Sequence, residues 1–518
     1  MSATRYATLF SRAVLGMDAP EIQVEVHASN GLPSLAIVGL PEASVKESKD
    51  RVRSALLSCG FQLPPKRITI NLAPADLPKS GSRYDLPIAL GILLATGQIT
   101  PRKPLEHFEW LGELGLNGEV RAIKGLIPSA LQAQASGRTL ICPQDNLLEA
   151  GILLGNQTVS SASVLGANHL LAICQFLADE SATLEAAGPL PVNERDEFAE
   201  DLSDIRGQAQ AKRVLEICAS GLHSLLMIGP PGSGKSMLAN RLVTLLPPLS
   251  QAQAVEVAAI HSLAGIVLHP ASLYQRKFIN PHHTSTTAAM VGGGSHYLKP
   301  GAISLAHESI LFLDELPEFQ RPVLEALREP LETHRVEIAR VNQQVSFPAK
   351  ALLVAAMNPS PSGFFPDDAL NRCKDTPEQI ARYLRKISGP LLDRIDCHLE
   401  VPPLQFEDLK GGLDPQAESS QQVRKRVVTC QAKQMARQGV LNSALTPPQL
   451  QQYAQLDQSS EVFLEKAMNR LGLSARAYHR ILRVARTLAD MADSQQIELP
   501  HLAEAVGYRA LDKKLQGN

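Results

Sequence analysis

The stretch Leu225-Leu226-Met227-Ile228-Gly229-Pro230-Pro231-Gly232-Ser233-Gly234-Lys235-Ser236 decides how this 518-residue chain is read. Its four leading apolar residues read as a buried strand, and Met237–Leu246 beyond it reads as a helix. Between them stands G-x-x-x-x-G-K-[ST], a phosphate loop in the strand–helix context that the pattern requires. The glycines let the backbone curl until its N–H groups and the helix N-terminus point at phosphate oxygens. Lys235 then has the reach for the β/γ-phosphates, and Ser236 for a magnesium ion.

Two further strands supply partners for that loop. Ile310-Leu311-Phe312-Leu313 is an apolar run of the kind found in parallel sheets, and it ends in Asp314-Glu315. Ligands of such sheets bind beyond the carboxyl ends of the strands. Asp314 is therefore expected near the magnesium, and Glu315 is expected to polarise a water for attack on the γ-phosphate. Ala351–Ala356 reads as a third strand and ends at Asn358, whose amide can hydrogen-bond the attacking water or the γ-phosphate.

Composition sets wide bounds. The length calls for two to four domains; 44% hydrophobic and 20% charged residues describe an ordinary globular chain. A net charge of −2 leaves any cationic contact with nucleic acid to be local. Seven scattered cysteines without a C-x-x-C pair suit reduced thiols. With no apolar signal core and no membrane-length run, a cytoplasmic location without membrane contact is expected. Residues to about Leu177 alternate strand and helix signals: Ile22, Val24 and Val26 as a half-buried strand, Pro41–Cys59 as a helix closed by Gly60, Arg67–Leu72 as a strand, and Asn117-Gly118 as a hairpin turn. Acidic residues and prolines at 179–201, among them Glu185, Pro191, Glu194, Asp196 and Glu197, read as a linker. Beyond about residue 418 the period is helical.

The order of phosphate loop, Asp-Glu strand and Asn strand resembles the AAA+ ATPases, which implies ATP with Mg2+ as cofactors. Asp204-Ile205-Arg206-Gly207-Gln208 resembles the segment that lies against adenine in that superfamily. Leu392-Asp393-Arg394-Ile395-Asp396 resembles its arginine-finger motif, with Arg394 acting on a neighbour's nucleotide, which implies a ring. Ser474-Ala475-Arg476 resembles sensor 2. Arginine suits both roles because its planar fork stabilises charge spread over phosphoryl oxygens. Pro281-His282-His283-Thr284, Gly292-Gly293-Gly294 and Pro300–His307, taken with these motifs, resemble the magnesium-chelatase-like AAA+ proteins of the ComM/YifB family along essentially the whole chain. That clade inserts a hairpin before sensor 1, here expected over Val336–Arg340 and Gln344–Phe347. Many relatives carry Cys-Pro-Cys and Cys-x-Cys after sensor 1; this chain has Ser360-Pro361-Ser362 and Cys373-Lys374-Asp375, so no zinc is expected.

Trp110–Val120 and Pro78-Lys79-Ser80-Gly81 resemble the Lon-type domain of the ribosomal-S5-like fold. The Ser–Lys dyad of Lon proteases has no counterpart: Asp85 falls near the nucleophile's place and Pro128 at the lysine's, so the domain is not expected to be a protease. Its role would resemble that of the inactive Lon-like domain of RadA-type proteins, which assembles rings and contacts DNA. The expected architecture is a Lon-type α+β domain over 1–178, the linker, an AAA+ α/β core over 202–402 and a helical lid over 403–518. The expected function is a homo-hexameric ATPase that moves on branched or single-stranded DNA, acting in branch migration of recombination intermediates and in natural transformation. The alternative is the ATPase subunit of a metal-chelatase complex, against which the Lon-like domain counts. Arg276, Lys277, His282, His283, Lys299, Arg335 and Arg340 are the candidate pore cations, and Arg480 and Arg483 share a helix face with Arg476.

Overall fold

Alternating burial along Glu21–Ser29 and Arg67–Ala73 marks two strands with one face in a core, and both pair antiparallel in the computed structural model. The structure describes residues 6–155, 163–190, 198–294, 298–340, 343–366, 372–403 and 417–512. The N-terminal sheet comprises β1 (Tyr6–Arg12), β2 (Glu21–Ser29), β3 (Ser34–Val38), β4 (Arg67–Ala73), β5 (Phe108–Trp110), β6 (Thr139–Pro143), β7 (Val164–Ala167) and β8 (Glu185–Ala186). Their spatial order is β8-β7-β6-β5-β1-β2-β4-β3, with parallel and antiparallel neighbours mixed. The helix Asp85–Ala95 is buried along its whole length against β1 and β2. Asn117-Gly118 makes the expected turn, with Gly118 at φ +89° between Glu113–Leu114 and Val120–Arg121.

Two expectations change. The helix expected over Pro41–Cys59 is two helices, Ala43–Lys46 and Ser48–Ser58, with Glu47 between them. The expected linker also contributes β8, whose Glu185 and Ala186 pair with β7 and extend the sheet. Pro191, Glu194, Asp196 and Glu197 lie outside the described residues, as does the start of the lid at 404–416.

The second sheet consists of β9 (Leu225–Ile228), β10 (Phe278–Ile279), β11 (Ile310–Leu313), β12 (Leu352–Met357) and β13 (Cys397–Glu400), all parallel, in the order β10-β11-β12-β9-β13. Leu225 lies opposite both Val354 and Cys397, so the ends of β9 and β12 come out side by side. C-terminal helices, including Ser420–Gln438 and Ala475–Met491, close over one face and share its core. No helix among the described residues is long and apolar enough to cross a membrane.

The helix Gln251–Ala264 belongs in sequence to the second block and packs into the first. Ala254, Val257 and Ala258 share a core with Leu126, Ile127, Ala130 and Leu140. Its last turn places Leu263 among Val14, Leu15, Val345 and Phe347, the last two from the hairpin Arg335–Arg340/Gln343–Pro348. Gly16, at φ +60°, is so close to that hairpin that a Cβ would stand 2.3 Å from Val345 Cγ1.

Asp396 fastens the helix Ala475–Met491 to the strand layer. Its carboxylate accepts from Ser224 N and Oγ, both at 3.0 Å, and pairs with Arg480 from that helix. Burial alone would raise its pKa, but Arg480 and His223 outweigh it and hold the carboxyl far below the usual range. With the folded value below the unfolded one of about 3.9, this stabilisation is present above that pH and is lost as pH falls. Acid unfolding followed by circular dichroism should show a shallower decline below pH about 4 in Asp396→Asn than in the parent; parallel acid limbs would remove Asp396 from the junction.

Candidate nucleotide site

The phosphate loop needs its glycines where the backbone turns left-handed. Gly232 and Gly234 have φ +77° and +86°, a region that strains any L side chain. A Cβ at Gly229 would stand 2.3 Å from Val401 O. The helix Lys235–Leu245 starts directly after Gly234, so its free N–H groups face the loop. Pro231–Ser236 of the loop, with Asp314, Glu315, Met357 and Asn358, line one cavity of about 380 Å³.

Lys235 Nζ donates to Gly229 O at 2.7 Å, Pro230 O at 3.0 Å and Asn358 Oδ1 at 3.3 Å. Burial pulls its ammonium below the ordinary value, and Asp314 and Glu315 oppose that shift. Ser236 Oγ donates to Asp314 Oδ2 at 2.8 Å. Ser233 Oγ is buried without a partner among the described residues. A hydroxyl and a carboxylate meeting beside a converging N–H cradle and an ammonium fit a magnesium–nucleotide pair. Ser236 and Asp314 would hold the ion, Lys235 and the Gly229–Gly234 backbone the phosphates; the ion supplies charge neutralisation at the phosphoryl oxygens.

Glu315 has φ +51°, a left-handed conformation that costs a residue with a Cβ on the order of 1–2 kcal/mol. Its Oε2 lies 3.0 Å from His283 Nδ1, and the His283 ring stands over that of His282 at 4.2 Å. His283, expected in a pore, thus touches the expected base. No sequence pattern announces this contact, because the two residues come from different strand ends. Gln208 is a second unassigned participant: its Nε2 donates to Ser233 O at 2.8 Å. Ile205, expected beside adenine, is 3% exposed in the hydrophobic core and is not among the cavity residues.

Arg394 and Arg476 are not in this cavity. They line another, of about 380 Å³, together with Arg480, Arg483, Lys350 and Glu332. Arg394 pairs with Glu332 and donates to Pro390 O at 2.6 Å. Arg480 and Arg483 are tied to Asp396 and Leu445 O, which makes them structural. Two expected pore cations are also structural. Arg276 is buried, donates to Pro247 O at 2.7 Å and lies 3.5 Å from Glu308. Lys277 donates to Ser272 O at 2.5 Å, and burial pulls its pKa down to about 8. Lys299 and Arg335 are exposed; the side chain of Arg340 lies outside the described residues. In the N-terminal domain Asp85 is fully buried, bonded by Arg51 Nε at 2.7 Å and by Leu114 N at 3.3 Å. Pro128 is likewise buried in the helix Leu126–Ala135.

Two substitutions separate the roles at this site. Glu315→Gln is expected to keep nucleotide binding and lose turnover, since the amide cannot take a proton from water. His283→Ala is expected to raise basal ATP hydrolysis by up to about fivefold, because a polar contact worth at most about 1 kcal/mol no longer holds the carboxylate. Steady-state phosphate release reads both, and an unchanged rate in His283→Ala removes that residue from control of Glu315.

Three family models match the chain: "Magnesium chelatase, subunit ChlI" over residues 201–409, "Subunit ChlI of Mg-chelatase" over 24–146 and "Magnesium chelatase, subunit ChlI C-terminal" over 417–509. The chain is 48% identical over 513 residues to competence protein ComM of Haemophilus influenzae, covering 98% of each chain. It is 49% identical over 505 residues to the uncharacterized protein YifB of Escherichia coli, covering 98% of this chain and 97% of that one. An uncharacterized protein of Mycobacterium tuberculosis is 40% identical over 506 residues, 96% of this chain and 98% of that one. With a phosphate loop, an Asp-Glu strand and an Asn strand side by side in a parallel sheet, and with likeness along nearly its whole length, the chain belongs to the ComM/YifB family of magnesium-chelatase-like AAA+ ATPases.

Proposed function

We propose that this chain works as a homo-hexameric ring that couples ATP hydrolysis to movement along branched DNA. In this reading each nucleotide lies between two subunits. Glu315 accepts a proton from the attacking water while Asn358 orients it and Lys235 steadies the γ-phosphoryl group. Arg394 and Arg476 of the neighbouring subunit stabilise charge as the terminal phosphoryl group departs. The supporting observation is the division of these residues between two cavities, the phosphate loop in one and both arginines in the other. Among the described residues a single copy brings no arginine to its own loop cavity, so a second copy is the simplest source. Hydrolysis then alters the contact across each junction, and the hairpins at Lys299 and Arg335 carry that change toward the substrate.

DNA as the substrate rests on the resemblance and on the name of the Haemophilus relative, a competence protein. Exposed Lys299 and Arg335, repeated around a ring, would concentrate positive charge that a −2 chain lacks as a monomer. The metal-chelatase reading also has support. The N-terminal segment, expected to count against it, matches a family model described as a chelatase subunit.

DNA dependence decides between the two. A hexameric preparation, established by light scattering with ATP, should hydrolyse ATP faster when forked or four-way DNA is added. If such DNA neither binds nor stimulates, the motor reading fails and chelatase partners become the next assay. Among the cations, Lys299→Gln should lower the slope of log affinity against log salt by about one for each phosphate it no longer neutralises. Lys277→Gln should leave that slope unchanged, because its ammonium is spent on Ser272 O.

A further inference from the structure

The chain that follows β12 returns to the nucleotide cavity at two points without lining it. Gly363 is buried at φ +90°, and a Cβ there would stand 2.8 Å from Cγ and Cδ of Pro231. No side chain larger than hydrogen fits between this loop and the phosphate loop. Farther on, the helix Pro377–Leu384 packs the ring of Tyr383, 6% exposed, beside the main chain of Asn358. One contact lies against the phosphate loop; the other lies against the strand end that carries Asn358.

Between these contacts four polar side chains close the chain on itself. Ser360 Oγ and Ser362 Oγ lie 3.1 Å apart, and Cys373 Sγ stands 3.9 Å and 3.8 Å from them. Asp375 Oδ2 accepts from Ser362 N at 2.8 Å and lies 3.9 Å from Cys373 Sγ. Thr376, next in sequence, caps the Tyr383 helix through Gln379 N. Asp375 therefore joins the loop carrying Gly363 to the start of the helix carrying Tyr383. None of the four residues lines the nucleotide cavity.

We propose that Ser360, Ser362, Cys373 and Asp375 form a hydrogen-bonded clasp that positions the nucleotide site, holding Gly363 against Pro231 and Tyr383 against Asn358. A phosphate loop binds tightly when its N–H groups already converge, because less ordering remains to be done on binding. Loops on their own are the least ordered parts of a fold, and the clasp gives this one a rigid neighbour. Asp375 is thus a positioning residue, two steps removed from any phosphate. The inference rests on ATP occupying the Gly229–Ser236 loop and is independent of DNA.

The experiment compares Asp375→Ala, Asp375→Asn, Ser362→Ala and Tyr383→Phe in the full chain. It measures steady-state ATP hydrolysis, binding of a fluorescent ATP analogue and thermal melting. Asp375→Ala should raise KM and the analogue's Kd about five- to tenfold, the loss of one charge-assisted hydrogen bond, with kcat within about twofold of the parent. Asp375→Asn keeps an acceptor for Ser362 N and should recover most of the affinity. Ser362→Ala, which keeps the backbone bond, should show a smaller rise of the same kind and serves where Asp375→Ala fails to fold. Tyr383→Phe should weaken turnover more than binding, since it removes the hydroxyl beside Asn358. Unchanged KM and Kd in both Asp375→Ala and Ser362→Ala overturn the clasp. So does a loss of melting temperature that lowers kcat and binding together and that Asn does not rescue. A parent chain that neither binds nor hydrolyses ATP overturns the nucleotide reading itself and the clasp with it.

Discussion

An ammonium group withdrawn from water at the end of a parallel sheet is the constraint on which the rest of this structure depends. Lys235 meets it with three oxygens, from Gly229, Pro230 and Asn358. Those oxygens come from two neighbouring strand ends, so β9 and β12 must finish at the same height. They do so because Leu225–Ile228 pairs residue by residue with Val354–Met357. β11 holds the same register on the far side of β12 and delivers Asp314 to Ser236. The apolar runs of these strands are thus more than a core: they are the ruler that sets distances between charges. An ammonium so placed has an obvious exchange available, from carbonyl oxygens to phosphate oxygens.

The same sheet leaves Glu315 in a state of tension. Its backbone is left-handed and its carboxylate is engaged by His283. Strained residues at strand ends persist where surrounding structure over-determines them, and here Asp314 Oδ1 also accepts from Glu315 N at 2.9 Å. The histidine belongs to the segment that runs on to Gly292-Gly293, which pairs antiparallel with exposed Lys299 and buried Pro300. Under the proposed roles, a carboxylate held by one segment and arginines held in a separate cavity would make chemistry conditional on two events outside the loop itself.

How much of this was legible in the sequence follows from the range of each interaction. The strand Leu225–Ile228, the loop glycines and the ends of β11 and β12 were readable because apolar runs and local turns carry their own signature. The turn at Asn117-Gly118 was readable for the same reason. The His283–Glu315 contact was not, since it joins residues 32 positions apart with no periodic trace. Nor could charge counting separate Lys277 from Lys299: both are lysines on insertions, and only packing buries one. The linker misled because its acidic and proline-rich composition hides the two residues that complete a sheet edge at β8. Ile205, at a motif position, packs into the hydrophobic core, a placement that the motif alone does not reveal.

The helix Gln251–Ala264 has a consequence for how the chain comes into being. Its apolar face completes a core begun by residues 126–153, about a hundred positions earlier. Synthesis proceeds at roughly 5–20 residues per second. Leu126, Ile127, Ala130 and Leu140 would thus be translated several seconds before the surface that covers them. The main core of the first sheet is complete without that helix, whereas the face of Leu126, Ile127, Ala130 and Leu140 stays uncovered until it is made. A fragment ending in the linker would carry that open face permanently. The shared core thus ties the two sheets into one packed body across the linker.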